Sequence, residues 1–137
     1  MKNGKKPGFV LDSFALLSYF QAEPGGEQVR QILKKALLGD ALVFVSVISL
    51  GEVYYIIARK RGKNTAREII QDIESLPVNV LDADFERVIR AAEVKADHPM
   101  SYADAFVAAA AMEFSATIVS GDPEFKAVEA NTSVLWI

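Results

Sequence analysis

The sequence predicts an α/β fold in which a mostly parallel, five-stranded sheet is flanked by helices on both faces. Five short apolar runs, rich in β-branched residues, have the length of buried strands. Segments with apolar residues at helical spacing lie between them, and this alternation is typical of a parallel sheet that is covered on both sides. No composition shift or long linker divides the chain.

Each element is predicted from its local pattern. The first strand, residues 9–11, ends at Asp12, and the second, residues 42–45, ends at Ser46. Asp82 and Asp84 precede a long helical pattern and are predicted to cap it. Three further stretches have the spacing of a helix face: residues 50–57, 69–73 and 106–110. The remaining predicted strands are residues 78–81, 117–119 and 134–137.

The chain has 137 residues, and we predict one domain over residues 8–137 after a basic N-terminal tail, residues 1–7. The absence of cysteine excludes disulfides, thiolate zinc sites and cysteine nucleophiles. We expect a cytoplasmic protein, because no apolar stretch has the length of a signal sequence or a membrane span. The net charge of -3 does not exclude a nucleic-acid partner. If a cation neutralises four of the 18 acids, 14 remain against 15 bases.

Four acids are predicted to lie where helices begin. Asp12 directly follows the first strand, and Asp122 follows the fourth strand after two residues. Glu52 and Asp104 are expected in the first turns of two apolar helices, with no Lys or Arg three or four positions away. Because the loops at the carboxyl edge of a parallel sheet converge, the four carboxylates could meet there. A hard divalent cation, Mg²⁺ or Mn²⁺, would then offset a repulsion of roughly 1 to 4 kcal/mol per close pair.

Each acid also has a purely structural interpretation. Asp12 could cap the helix that follows it, and Asp122 before Pro123 is a good helix start. Two pairs have the spacing of a capping box: Ser49 with Glu52, and Ser101 with Asp104. Capping is the simpler explanation for each acid taken singly. The position of all four acids at helix entries favours a shared site.

These features resemble the PIN-domain ribonucleases, and among them the VapC-like toxins of toxin–antitoxin pairs, over residues 9–137. Four motifs carry the resemblance: a strand that ends in Asp12, a serine-led apolar helix with Glu52, an alanine-rich helix opened by Asp104, and a Ser-Gly-Asp turn with Asp122. The sequence departs from the family at Phe14, where many members carry Asn. Any polar contact of that Asn is missing here.

The resemblance implies a Mg²⁺-dependent endoribonuclease that hydrolyses RNA phosphodiesters with a metal-activated water. Mn²⁺ is the expected substitute for Mg²⁺. The resemblance also implies a cognate antitoxin polypeptide, a homodimer and no membrane association. The implied catalytic and metal-binding residues are Asp12, Glu52, Asp104 and Asp122.

Two other functions stay open on the sequence. A catalytically silent PIN-like module would keep the scaffold only to hold a partner. A phospho-aspartate receiver-like domain could use Asp12, but Ser13 stands where such a domain would place a second acid. Five bases between Arg59 and Arg67 form either a solvated helix end or a phosphate-contacting patch for RNA.

Overall fold

The computed structural model describes residues 5–137 and confirms the predicted α/β fold. All five predicted strands form. The strands are β1 (Gly8–Leu11), β2 (Leu42–Ser46), β3 (Asn79–Leu81), β4 (Thr117–Ser120) and β5 (Val134–Trp136). The helices are α1 (Ser13–Phe20), α2 (Gly26–Leu37), α3 (Val47–Arg61), α4 (Lys63–Glu74), α5 (Phe85–Asp97) and α6 (Tyr102–Phe114), and a 3-10 helix spans Pro123–Val128.

The five strands pair in the order β3-β2-β1-β4-β5, and every pairing between them is parallel. Strand β1 therefore lies at the centre, with β2 on one side and β4 on the other. The chain moves from β1 to β2 first and reaches β4 only after four more helices. This reversal of direction opens a crevice beside the carboxyl ends of β1 and β4, where ligands bind in open α/β sheets.

Helices cover both faces of the sheet because successive strand residues point to opposite sides. In β1, Val10 packs into a core formed with α5, α6 and the 3-10 helix. Its neighbour Leu11 packs into a second core formed with α1, α2, α3 and α4. In α6 every residue over 104–111 is buried, and five of those eight are alanines. The small side chains let α6 lie close to β1, β2 and β4.

Helix α3 begins earlier than expected. Strand β2 extends through Ser46, which pairs with Leu81 of β3, and it runs directly into the helix. Ser46 Oγ accepts the Ile48 N–H at 3.2 Å and caps α3. Ser49 is fully buried within the helix, and the suggested capping box between Ser49 and Glu52 does not form. The placement of Glu52 in the first turn was therefore wrong, because it lies in the second.

Helix α5 begins where the sequence indicates. Asp84 is the N-cap residue, and its Oδ1 accepts the Arg87 N–H at 2.9 Å. Residues 1–4 of the predicted basic tail lie outside the described residues, and residues 5–7 are exposed ahead of β1. The boundary between tail and domain stays a prediction. Among residues 5–137, every helix is too short or too polar to cross a bilayer.

Candidate metal centre

Asp12 joins the ends of the two central strands. It follows β1 and caps α1, with Oδ1 accepting the Ala15 N–H at 2.8 Å. Its other oxygen, Oδ2, accepts a hydrogen bond from Ser120 Oγ at the end of β4. Ser120 Oγ also accepts the Asp122 N–H at 2.9 Å. A buried hydroxyl thus fixes the loops that carry Asp12 and Asp122 to each other.

Asp104 is placed by the start of α6. Ser101 is the N-cap residue, and its Oγ accepts the Asp104 N–H at 3.2 Å, as the predicted capping pair requires. The second half of a capping box is supplied from elsewhere, because the Ser101 N–H donates to Glu124 Oε1 at 2.8 Å. The Asp104 carboxylate is therefore not used in the cap. It is only 6% exposed.

Three carboxylates meet beside the crevice. Asp104, Asp122 and Glu124 each offer an oxygen, and these three atoms lie within 4.8 Å of one another. Asp122 follows β4 and caps the 3-10 helix, with Oδ1 accepting the Glu124 N–H at 2.9 Å. That turn brings the Glu124 side chain back toward α6. Asp104 and Asp122 are thus brought together as expected, with Glu124 as a third acid.

Asp12 and Glu52 both lie near Asp122. Both have electrostatic interactions with the Asp122 carboxylate, and Asp12 also interacts with Glu52 and Asp104. Glu52 is half-buried on α3 and accepts a hydrogen bond from the Ser13 side chain at the start of α1. The four predicted acids therefore belong to one electrostatic group, although Asp12 and Glu52 lie outside the tightest cluster of three oxygens.

Burial dominates the electrostatics of this group. It raises the pKa of Asp12 from 3.8 to about 7, against the opposing effect of hydrogen bonds from Ser120 and Ala15. Burial, followed by the hydrogen bond with Glu124 and the charge of Asp122, raises the pKa of Asp104 to about 9. The pKa of Glu124 is lowered, first by the Ser101 N–H and then by the hydrogen bond with Asp104. Burial also raises the pKa of Glu52.

The side-chain ion pairs found within residues 5–137 lie away from this group. They involve other acids, namely Glu27, Asp84, Glu86 and Glu113. Lys95 has a small electrostatic effect on Glu124, but its Nζ donates to the Met100 carbonyl oxygen at 2.7 Å. A cluster of carboxylate oxygens without an ion-paired cation fits a hard divalent ion such as Mg²⁺ or Mn²⁺. The raised pKa values of Asp12 and Asp104 mean that burial disfavours the charged form of both carboxyls, and no ion pair found within residues 5–137 offsets this effect.

Sequence reasoning missed two contributors to this centre. Glu124 lies two residues after Asp122, and its role depends on Ser101, which is 23 positions away. Ser120 ends an apolar strand, and its contact with Asp12 spans 108 positions. A local signal existed only for Glu124, as a second acid next to the Ser-Gly-Asp turn.

The sequence matches the profile of the PIN domain over residues 9–131, which is most of the chain. The chain belongs to the PIN-domain family. This confirms the resemblance seen in the four acidic motifs. A comparison with curated protein sequences found no significant match.

Several similar solved structures are VapBC or VapC proteins. The PIN domain aligns with VapBC2 from Rickettsia felis, bound to a DNA fragment from its promoter, with a TM-score of 0.71 at 15% identity, over 93% of this chain and 97% of the other. DNA-bound VapBC from Salmonella typhimurium aligns with a TM-score of 0.72 at 18% identity, over 94% of this chain and 97% of the other. VapC20 from Mycobacterium tuberculosis, a Sarcin-Ricin loop cleaving toxin, aligns with a TM-score of 0.68 at 18% identity, over 90% of this chain and 95% of the other. At these identities the likeness shows the fold.

Proposed function

We propose that this PIN domain is a Mg²⁺-dependent endoribonuclease and the toxin of a toxin–antitoxin pair. One observation carries the proposal: several carboxylates, of which Asp12 and Asp104 are buried, converge at the carboxyl edge of a PIN fold, and the ion pairs found within the described residues leave them unpaired. In such a site a divalent ion supplies the missing positive charge, and a phosphodiester substrate supplies the reacting group.

Four residues would hold the ion in this proposal: Asp12, Glu52, Asp104 and Asp122. When bound, the ion supplies an activated water and stabilises negative charge on the transferring and leaving oxygens. Ser120 holds the Asp12 carboxylate in place, and Ser13 does the same for Glu52. A carboxylate oxygen of these residues that does not contact the ion can orient the attacking water and accept its proton.

The proposal includes an antitoxin polypeptide and a homodimer as partners, with RNA as the substrate. Two of the similar structures are VapBC toxin–antitoxin complexes, and VapC20 is described as a Sarcin-Ricin loop cleaving toxin. A small open reading frame next to the gene would identify the candidate antitoxin. Co-expression of that polypeptide should relieve a growth arrest caused by the PIN domain.

A cleavage assay tests the enzyme. The purified protein should cut a generic single-stranded RNA in Mg²⁺ and leave it intact in excess EDTA. Asp104→Asn should lower kcat by at least about 100-fold, because it removes a ligand of the ion that stabilises charge on the reacting phosphate. Asp72→Asn is the matched control, because Asp72 is an exposed acid on α4, which contributes no residue to the site. Mg²⁺-independent cleavage, or full activity of Asp104→Asn, would contradict the proposal.

Expression in cells separates this enzyme from a silent PIN-like module. If the wild-type chain arrests growth and Asp104→Asn does not, the effect depends on the carboxylate and the silent module is excluded. If both arrest growth equally and neither cuts RNA in vitro, the chain acts by holding a partner.

A further inference from the structure

An exposed aromatic ring lies beside the candidate metal centre. Phe14 is the second residue of α1, two positions after Asp12. It is 41% exposed, whereas its neighbours Ala15 and Leu16 are fully buried. The ring therefore does not belong to the core beneath α1, and its exposed face retains an unfavourable contact with water.

This ring lies against the backbone of Gly121. A Cβ atom at position 121 would lie 2.4 Å from Phe14 Cζ and 2.5 Å from Cε1, closer than any side-chain atom can approach. Only glycine leaves room for the ring at this position. Gly121 stands between Ser120, which contacts Asp12, and Asp122, which belongs to the acidic cluster. The ring thus lies against the loop that carries the acids.

We infer that Phe14, supported by Gly121, forms a stacking subsite for one nucleobase of a single-stranded RNA next to the scissile phosphate. The inference rests on the proposed ribonuclease function. Phe14 has no charge and no hydrogen-bonding group, and it cannot bind a metal or a phosphate. An aromatic face held at the border of a phosphate site is instead the group on which a neighbouring base stacks.

The surroundings of the ring favour a nucleobase over a protein partner. The chain segments next to Phe14 carry Asp12, Ser13 and Asp122, so the exposed ring borders the acidic groups of the candidate site. A nucleotide matches both features, because its base has a flat π face for the ring and its phosphate is attracted by the cation-filled site. Stacking tolerates any base, and the subsite should therefore add affinity more than sequence preference.

Cleavage kinetics with short single-stranded RNA in Mg²⁺ test the subsite. Phe14→Leu keeps an apolar side chain against Gly121 and should raise KM by about 5- to 100-fold, the range for loss of one stacked base, with a smaller change in kcat. Phe14→Trp should keep the wild-type KM. Phe85→Leu is the matched control, because Phe85 is an 82% exposed aromatic residue on α5, outside the site.

Substrates that lack a single base identify the stacked nucleotide. One abasic position next to the cleaved bond should raise KM of the wild-type protein as much as Phe14→Leu does. The two changes should not add when they are combined, because they remove the same contact.

The outcomes separate the two proposals. If the wild-type protein does not cleave RNA in Mg²⁺, both fail. Suppose instead that it cleaves, but that Phe14→Leu has the same KM as the wild-type protein on the intact RNA and on every abasic substrate. The subsite is then wrong, and the ribonuclease proposal stands. A Phe14→Leu variant that cleaves normally but no longer binds the antitoxin would assign the ring to a protein partner and would also overturn the subsite.

Discussion

Replacing Asp12 with asparagine should stabilise the metal-free protein, and the gain should grow as the pH rises. Asp12 is 2% exposed, and burial raises its pKa from 3.8 to about 7. The folded protein therefore binds the proton of this carboxyl more tightly than the unfolded chain does. Stability is highest when the carboxyl is protonated in both states, and it falls as the pH rises from 3.8 to about 7. Asparagine removes this loss, because it has no charge to bury.

The magnitude follows from the size of the pKa shift. One unit corresponds to about 1.36 kcal/mol. Between about pH 5 and about pH 8, the unfolded chain has already lost this proton, whereas the folded protein must give it up in an environment that disfavours the charge. The unfolding free energy of the wild-type protein therefore falls by roughly 2 to 3 kcal/mol over this range. The amide of Asp12→Asn keeps the acceptor for the Ala15 N–H but must donate to Ser120, where the carboxylate accepts. That exchange costs about 1 kcal/mol and does not depend on pH.

Urea denaturation in EDTA at these two pH values measures the effect. The unfolding free energy of Asp12→Asn, relative to that of the wild type, should be roughly 2 to 3 kcal/mol larger at about pH 8 than at about pH 5. Asp72→Asn, at an exposed site, should show the same difference from wild type at both pH values. A constant difference for Asp12→Asn would refute the assignment of a buried, uncompensated charge to Asp12.

Three further predictions concern the same site. Millimolar Mg²⁺ should raise the Tm of the wild-type protein by several degrees and that of Asp104→Asn by less, as measured by scanning calorimetry, because the ion binds only the folded state. Ser120→Ala should lower the unfolding free energy by about 1 to 3 kcal/mol, since it leaves Asp12 Oδ2 and the Asp122 N–H without this partner; an unchanged urea midpoint would contradict this. Gly121→Ala should cost about 1 to 3 kcal/mol, because its Cβ would meet Phe14 and the Ile137 carbonyl oxygen, 2.9 Å away; wild-type stability in urea would show that the ring moves freely.

The strands and three of the four acids could be placed from sequence because their signals are local. A short apolar run ends at Asp12, and another ends just ahead of Asp122. Both runs form strands, and both acids lie at the carboxyl edge of the sheet. Asp104 was placed by its spacing from Ser101, and the Ser101 cap forms as predicted. Each of these signals lies within a few residues of the acid concerned.

The start of α3 could not be placed in the same way. Ser46 and Ser49 are both good N-cap residues, and the local sequence does not choose between them. Pairing of β2 with β3 extends the strand to Ser46, and burial of Ser49 in the helix removes the alternative. Glu52 was therefore expected one turn too early, although it still reaches the neighbourhood of Asp122.

The sequence by itself determined the alternation of strands and helices and the placing of acids after the central strands, since these depend on hydrogen bonds and apolar spacing within a few residues. Only the tertiary structure decided that Glu124 completes the α6 cap, that Ser120 holds Asp12, and that Phe14 lies on Gly121. It also decided the pKa values of Asp12 and Asp104. Desolvation and close electrostatic interactions act over a few ångströms, and the groups responsible come from segments that lie far apart in the chain.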